Sequence, residues 1–172
     1  MQLMMTSIPR RRLLRFTLVF ALLCALAGCG ATRALFGPSM ASPNWKSLTL
    51  RAADDANSNS AVAVDVVLVK DPAVLESLLA MPAAKWFATR AELQRTFPEA
   101  LTVYPYELVP AQTIKLNDKK WSDQKAWAAL VFAGYSNAGE HRERLLLNAS
   151  GYVVQLNAQG FSAKEPKAGA AQ

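Results

Sequence analysis

Ala61-Val62-Ala63-Val64-Asp65-Val66-Val67-Leu68-Val69 decides how this chain folds. Side chains alternate across an extended strand, so Val62, Val64, Val66 and Leu68 share one face. The other face begins with Ala61, Ala63 and Asp65 and turns apolar at Val67 and Val69. Such a strand belongs in the middle of a sheet. Asp71-Pro72 then ends the period of two. Asp is a good N-cap and Pro suits the first helical turn. Val74, Leu75, Leu78 and Leu79 supply a helical stripe that runs to Met81-Pro82.

Working outward, Trp45 to Arg51 alternates Leu48 and Leu50 against Ser47 and Thr49 and predicts a first strand. Between the two strands, Ala52 to Ser60 is a polar loop. Downstream, Thr89-Arg90-Ala91-Glu92 has the form of a capping box, which predicts a second helix stopped by Pro98. Trp86 and Phe87, just before it, are expected to pack onto the sheet. Leu101 to Val109 is β-rich, but Pro105 demotes it to an edge or bulged strand. Ala111 to Leu116 is short, and Asn117 to Lys120 is a polar turn. Ala126 to Tyr135 is apolar on both faces and reads as a second central strand. Asn137-Ala138-Gly139 turns the chain into Arg142 to Leu147, and Tyr152, Val154 and Leu156 mark the last strand. The fold expected is mostly β: a sandwich of about seven strands over residues 45–157, with a helical insertion near 72–97 and a frayed tail over 158–172.

The first 28 residues follow other rules. Arg10, Arg11, Arg12 and Arg15 precede an apolar run from Phe16 to Ala27, too short and wrongly flanked for a stable span. Leu26-Ala27-Gly28-Cys29 resembles the bacterial lipobox. That implies cleavage before Cys29, a diacylglycerol and an N-acyl chain on its thiol, and no other cofactor. An ordinary signal peptide with a chance cysteine is the alternative. In the resembling lipoproteins of enterobacterial type, Asp after the acylated Cys retains the protein in the inner membrane. Gly30 stands there, which implies the periplasmic face of the outer membrane. Gly30 to Asn44, with Gly37-Pro38 and Ser42-Pro43, reads as a tether reaching at most about 50 Å.

Removing the signal rewrites the composition. Cys24, the only other cysteine, leaves with it, so the mature domain relies on an ordinary core and not on a disulfide or thiolate metal site. Its 144 residues suffice for one such core. The net charge of +6 and isoelectric point of 9.6 suggest nucleic acid. The four signal arginines carry most of that excess, and subtracting them leaves fifteen basic against thirteen acidic side chains. Nucleic acid is not an expected partner.

The order of these features resembles the TssJ (SciN) lipoproteins of type VI secretion systems. The carriers are the lipobox, the tether, the Val-rich strand ending in Leu68-Val69-Lys70-Asp71, the aromatic-bearing insertion, Tyr106 to Pro110, and Trp127 to Tyr135. The resemblance covers about Trp45 to Leu156 and rests on degenerate hydrophobic patterns. It implies a transthyretin-like sandwich in the outer membrane, bound to the periplasmic domain of a TssM-like inner-membrane protein. It also implies that the loop between the first two strands makes part of that contact, here through Asp54, Asp55, Asn57, Ser58 and Asn59. The chain departs from the pattern at Ala111, where Gly is usual, and at Gly134-Tyr135-Ser136, where Arg-Asp is usual.

Catalytic signals are sparse. His141 is the single histidine, among Glu140, Arg142, Glu143 and Arg144. It can be read as a base or as a solvated strand end. No mature cysteine partners it, and no Gly-x-Ser-x-Gly elbow occurs. Asp54-Asp55 with Asn57 and Asn59 has the oxygen content of a Ca²⁺ loop without the Gly and Glu of an EF-hand, so a polar turn or a partner contact also fits, and no metal is expected. Lys119-Lys120-Trp121 with Trp127 has the look of a stacking platform for bases, but the flanking Asp118 and Asp123 fit a packed turn better. The function expected is a non-enzymatic, lipid-anchored assembly component. The alternative is an outer-membrane lipoprotein with a hydrolase or ligand site built from scattered carboxylates.

Overall fold

The computed structural model describes residues 39–166, so the signal segment, Cys29, most of the tether and the last six residues lie outside it. Among the described residues there are eight strands: β1 (Ser47–Ala52), β2 (Val62–Val69), β3 (Leu101–Leu108), β4 (Thr113–Asn117), β5 (Ala128–Gly134), β6 (Arg142–Leu145), β7 (Gly151–Leu156) and β8 (Phe161–Lys164). Two longer helices, α1 (Pro72–Leu79) and α2 (Ala83–Thr96), follow β2. One sheet has the order β3-β2-β5-β6 and the other β4-β1-β7-β8. All pairs are antiparallel except β1 with β7. At the start of that parallel pair Gly151 is required, because a Cβ there would lie 2.6 Å from the Ser47 carbonyl oxygen.

The two faces of β2 explain the layers. Val62, Val64, Val66 and Leu68 join Ala129, Val131 and Ala133 of β5 against Leu48, Leu50, Val154 and Leu156 of the facing sheet. On the reverse side Val67, Val69, Leu130 and Phe132 meet Val74 and Leu78 of α1 and Ala83 and Trp86 of α2. The helices are therefore a third layer over one sheet. The edge position of β3 agrees with Pro105, which cannot donate to a ladder. Asp71 caps α1, its Oδ1 accepting from the backbone N–H groups of Ala73 (2.7 Å) and Val74 (3.1 Å).

Two expectations need correction. The second helix starts at Ala83, not at a capping box on Thr89. Thr89 lies mid-helix, and its hydroxyl donates to the Lys85 carbonyl at 2.9 Å. Burial of Ala83 and Trp86 sets the helix start over the local pattern. Phe161–Lys164, expected within a frayed tail, pairs with β7 as β8. Phe161 and Ala163 pack against the inter-sheet core, and the Ala163 N–H donates to the Glu143 carboxylate at 2.9 Å. Trp121 sits in a packed turn, as the flanking Asp118 and Asp123 suggested, and not on an exposed platform. It is buried against Trp45, and its Nε1 donates to the Trp45 carbonyl at 3.1 Å.

Asp65 is the one charged side chain among the fully buried residues described. Arg90 Nη1 donates to both carboxylate oxygens at 2.9 and 2.7 Å, and Trp86 Nε1 donates to Oδ2 at 2.8 Å. Trp86 and Arg90 are four residues apart and so share a helix face. The Trp86 ring also stacks on Phe132 with centroids 4.8 Å apart. A carboxylate without water is costly unless paired and hydrogen-bonded, and α2 supplies both partners. Arg90→Ala leaves the buried Asp65 carboxyl bonded only to Trp86. Its destabilisation should reach about 3 kcal/mol, the lower end for a broken buried pair because Arg90 is partly open to solvent. Asp65→Asn, which keeps an acceptor for Trp86, should cost less. Urea denaturation of the two variants and the double mutant measures this, and equal losses would contradict it.

Candidate partner-binding surface

Strand register sorts the connections to two ends. Arg51 pairs with Thr113 and Gln155, and Val62 with Leu108. Ala63 pairs with Gly134, and Leu156 with Phe161. The segments 53–61, 109–112, 135–141 and 157–160 therefore cluster at one end. Ser47 pairs with Asn117 and Gly151, and Val69 with Leu101 and Ala128. The chain entering β1 lies at the opposite end, where Ala41 bridges to Ala126 and the Asn44 N–H donates to the Leu147 carbonyl at 2.7 Å. A six-residue strand separates the ends by roughly 20 Å.

The β1–β2 loop is shaped by a left-handed run. Asn57, Ser58 and Asn59 have φ of 47°, 54° and 63°. Asn tolerates this region through local hydrogen bonds, whereas Ser58 needs its neighbours to hold it there. Those neighbours come from the other loops. The Asn57 and Ser58 N–H groups donate to the carbonyls of Asn157 and Ala158, both at 3.1 Å. Asn57 Oδ1 accepts from the backbone N–H of Ser136 at 2.8 Å and from its hydroxyl at 3.1 Å. Asn57 Nδ2 donates to the Ala61 carbonyl at 2.8 Å.

Of the five loop residues singled out in the sequence, Asp54, Asp55, Ser58 and Asn59 are exposed. Asn57 is only 5% exposed, and its amide is consumed inside the protein. It shapes the loop and is not a contact residue. Its bonds also remove a member of the supposed Ca²⁺ set. Among the described residues no three or more His, Cys, Asp or Glu side chains converge.

Sequence reasoning missed the residues that brace this loop. The Tyr135 hydroxyl donates to the Gly160 carbonyl at 2.7 Å and accepts from the Asn157 N–H at 3.2 Å. Burial pushes its phenol up to about 12, with the Asn157 bond acting in the opposite direction. His141, at φ 40°, rests its ring on Tyr135 with centroids 4.6 Å apart, and its Nε2 lies 3.1 Å from the Asn137 carbonyl oxygen. His141 is thus a packed loop residue. The departure at Gly134-Tyr135-Ser136 was the available signal. The result is a braced surface with two free carboxylates, able to present a fixed shape and negative charge to a partner.

No protein-family model and no curated protein matches the sequence. Solved structures do match. The type VI secretion (T6SS) lipoprotein TssJ1 from Pseudomonas aeruginosa superposes with a TM-score of 0.52 at 16% identity, covering 71% of this chain and 95% of that one. A chain of a structure described as a type VI membrane complex gives 0.51 at 14%, covering 69% and 95%. A chain of the structure described as the TssM C-terminal domain from EAEC gives the same values. By class, then, the protein is a mostly β sandwich of two four-stranded sheets with a helical layer. Its particular fold is TssJ-like, as the sequence resemblance implied.

Ala111 shows what the departure from the family pattern costs. It has φ 64° at the end of the β3–β4 loop, and its N–H donates to the Ala53 carbonyl at 3.1 Å. A Cβ in that region is strained by about 1–2 kcal/mol, which Gly avoids. Ala111→Gly should therefore raise stability by about 0.5–1 kcal/mol after the greater unfolded-state entropy of Gly is subtracted. The shift in urea midpoint measures it, and a loss of stability would contradict the strain.

Proposed function

We propose that this protein is a lipid-anchored assembly component of a type VI secretion envelope complex. Acylated Cys29 holds it at the periplasmic face of the outer membrane, and the braced loops bind the periplasmic domain of a TssM-like inner-membrane protein. The observation that carries this reading is the opposition of the two ends: the chain leading from Cys29 enters at one, and Asp54 and Asp55 project at the other. An anchored protein presents a contact surface best when it faces away from its anchor. The TssJ-like fold supports the reading, because the matching structures are described as a T6SS lipoprotein and as part of a type VI membrane complex. Several acyl chains on one cysteine make a stable anchor where one is marginal.

Pull-down and titration with the periplasmic domain of a TssM-like protein test the contact. Reversal of both carboxylates, Asp54→Lys with Asp55→Lys, should weaken binding by about tenfold or more, chiefly through loss of charge complementarity. Unchanged binding would remove the loop from the interface, and failure of the wild-type protein to bind would remove the partner. In the same cells Cys29→Ala should abolish palmitate labelling, and persistent labelling would refute the anchor.

A further inference from the structure

The end of the sandwich opposite Asp54 carries features the partner contact does not use. Among the described residues, four large apolar side chains are exposed, and three of them lie here: Met40 (42%), Phe97 (41%) and Leu146 (54%). The fourth, Val109, sits at the loop end. Their placement follows from bonds already fixed by the fold. Met40 precedes the Ala41–Ala126 bridge, and the Leu146 carbonyl accepts from Trp45 Nε1 at 2.8 Å. Phe97 accepts from the Ala100 N–H, and the Ala100 carbonyl in turn accepts from the Lys70 N–H beyond β2. Beside Leu146 runs an open groove of about 370 Å³ whose lining includes Ala41, Trp127, Arg144 and Leu147.

Charge differs between the ends as well. Lys46, Lys119, Lys120 and Lys125 are exposed at the groove end, with Arg144 at the groove itself and Lys70 bonded to Gln124 at 3.1 Å. The acids at this end are Asp71, which caps α1, and Glu99, Asp118 and Asp123. Bases outnumber them. The loop end reverses the balance, with Asp54, Asp55, Glu107 and Glu140 against Arg51, Lys85 in the first turn of α2, and Arg142, the last paired to Glu140 at 3.1 Å.

We infer that this end of the domain docks on an anionic lipid surface, with Leu146, Met40 and Phe97 entering the interface and the lysines meeting phosphate headgroups. Exposed apolar side chains flanked by lysine are the composition that lies in a membrane interface, the long stems reaching headgroups while the apolar groups sit deeper. The length of chain before Met40 selects lipid over a protein occupant. The inference rests on acylation of Cys29, and only residues 30–39 separate that cysteine from Met40. Fully extended they reach about 35 Å. The bilayer is thus held within reach of this end at high effective concentration, while a soluble partner must find it by diffusion. Docking would orient the loop end toward the periplasm, where a freely swinging tether would not.

The test uses the full lipid-anchored chain in vesicles of phosphatidylethanolamine and phosphatidylglycerol. Leu146→Cys, Phe97→Cys and Val109→Cys each carry an environment-sensitive fluorophore, and lipids bearing a nitroxide near the headgroup act as quencher. Labels at 146 and 97 should be quenched about threefold more than the label at 109, as interfacial burial requires. Lys119→Glu, Lys120→Glu and Lys125→Glu together should remove that difference. Equal quenching at all three sites in chain that floats with the vesicles would overturn the docking and leave the anchor intact. Chain that does not float would overturn the anchor reading and this one with it. A blue shift at 146 without quenching would mean that a protein surface, such as a second copy, covers this end, and would also overturn the lipid assignment. Quenching that survives the triple charge reversal would overturn the role of the lysines.

Discussion

A carboxylate without solvent exposure sits in the middle of the central strand, and the helical side of the sheet is arranged around it. The Asp65 carboxylate is satisfied inside the protein by Arg90 and Trp86, which reach it from consecutive turns of one helix. Hiding a carboxylate costs several kcal/mol. Val67, Val69, Leu130, Phe132 and Trp86 bury in the same layer, and each contributes roughly 1.5–3 kcal/mol. The apolar contacts therefore hold the layer on, and the ion pair with its indole bond fixes where α2 sits. That division matters for the rest of the molecule. With the reverse face of β2 and β5 capped by helices, their other face is free to form the sandwich core, and the loops at either end inherit a rigid frame.

The strands were legible in the sequence wherever burial was asymmetric or complete. Val62 to Leu68 and Ala128 to Ala133 announced central positions through their two apolar faces, and Pro105 announced an edge. Helix α1 was legible because Asp71 and Pro72 act locally. Helix α2 was legible in its existence and in its stop before Pro98 but not in its start, which is decided by Trp86 reaching across to Asp65 and Phe132, partners that lie far along the chain. β8 was missed because four residues with two half-buried apolar side chains leave no period to detect. The polar loop at Ala53 to Ser60 was recognised as a loop, but not its division of labour. Asn57 looks like its neighbours in sequence and differs only because Ser136, nearly eighty residues later, folds back on it. Ala111 shows the reverse case: an unusual residue in the family pattern marked a real left-handed position.

Two ends of one sandwich divide the chemistry. One is acidic and braced by hydrogen bonds among four loops. The other is richer in lysine, carries most of the exposed large apolar side chains described, and receives the chain that leads from Cys29. Such polarity suits a protein held to a surface on one side and engaged by a partner on the other.

Hydrogen exchange of the full chain carried on vesicles by the proposed Cys29 anchor, with and without the periplasmic domain of a TssM-like protein, tests this division most directly. The account predicts that added partner protects backbone amides in 53–61 and in the adjoining 135–141 and 157–160, and leaves 118–127 and 146–150 unchanged. Protection confined to 118–127 and 146–150, or to the outer edges of β4 or β6, would contradict it.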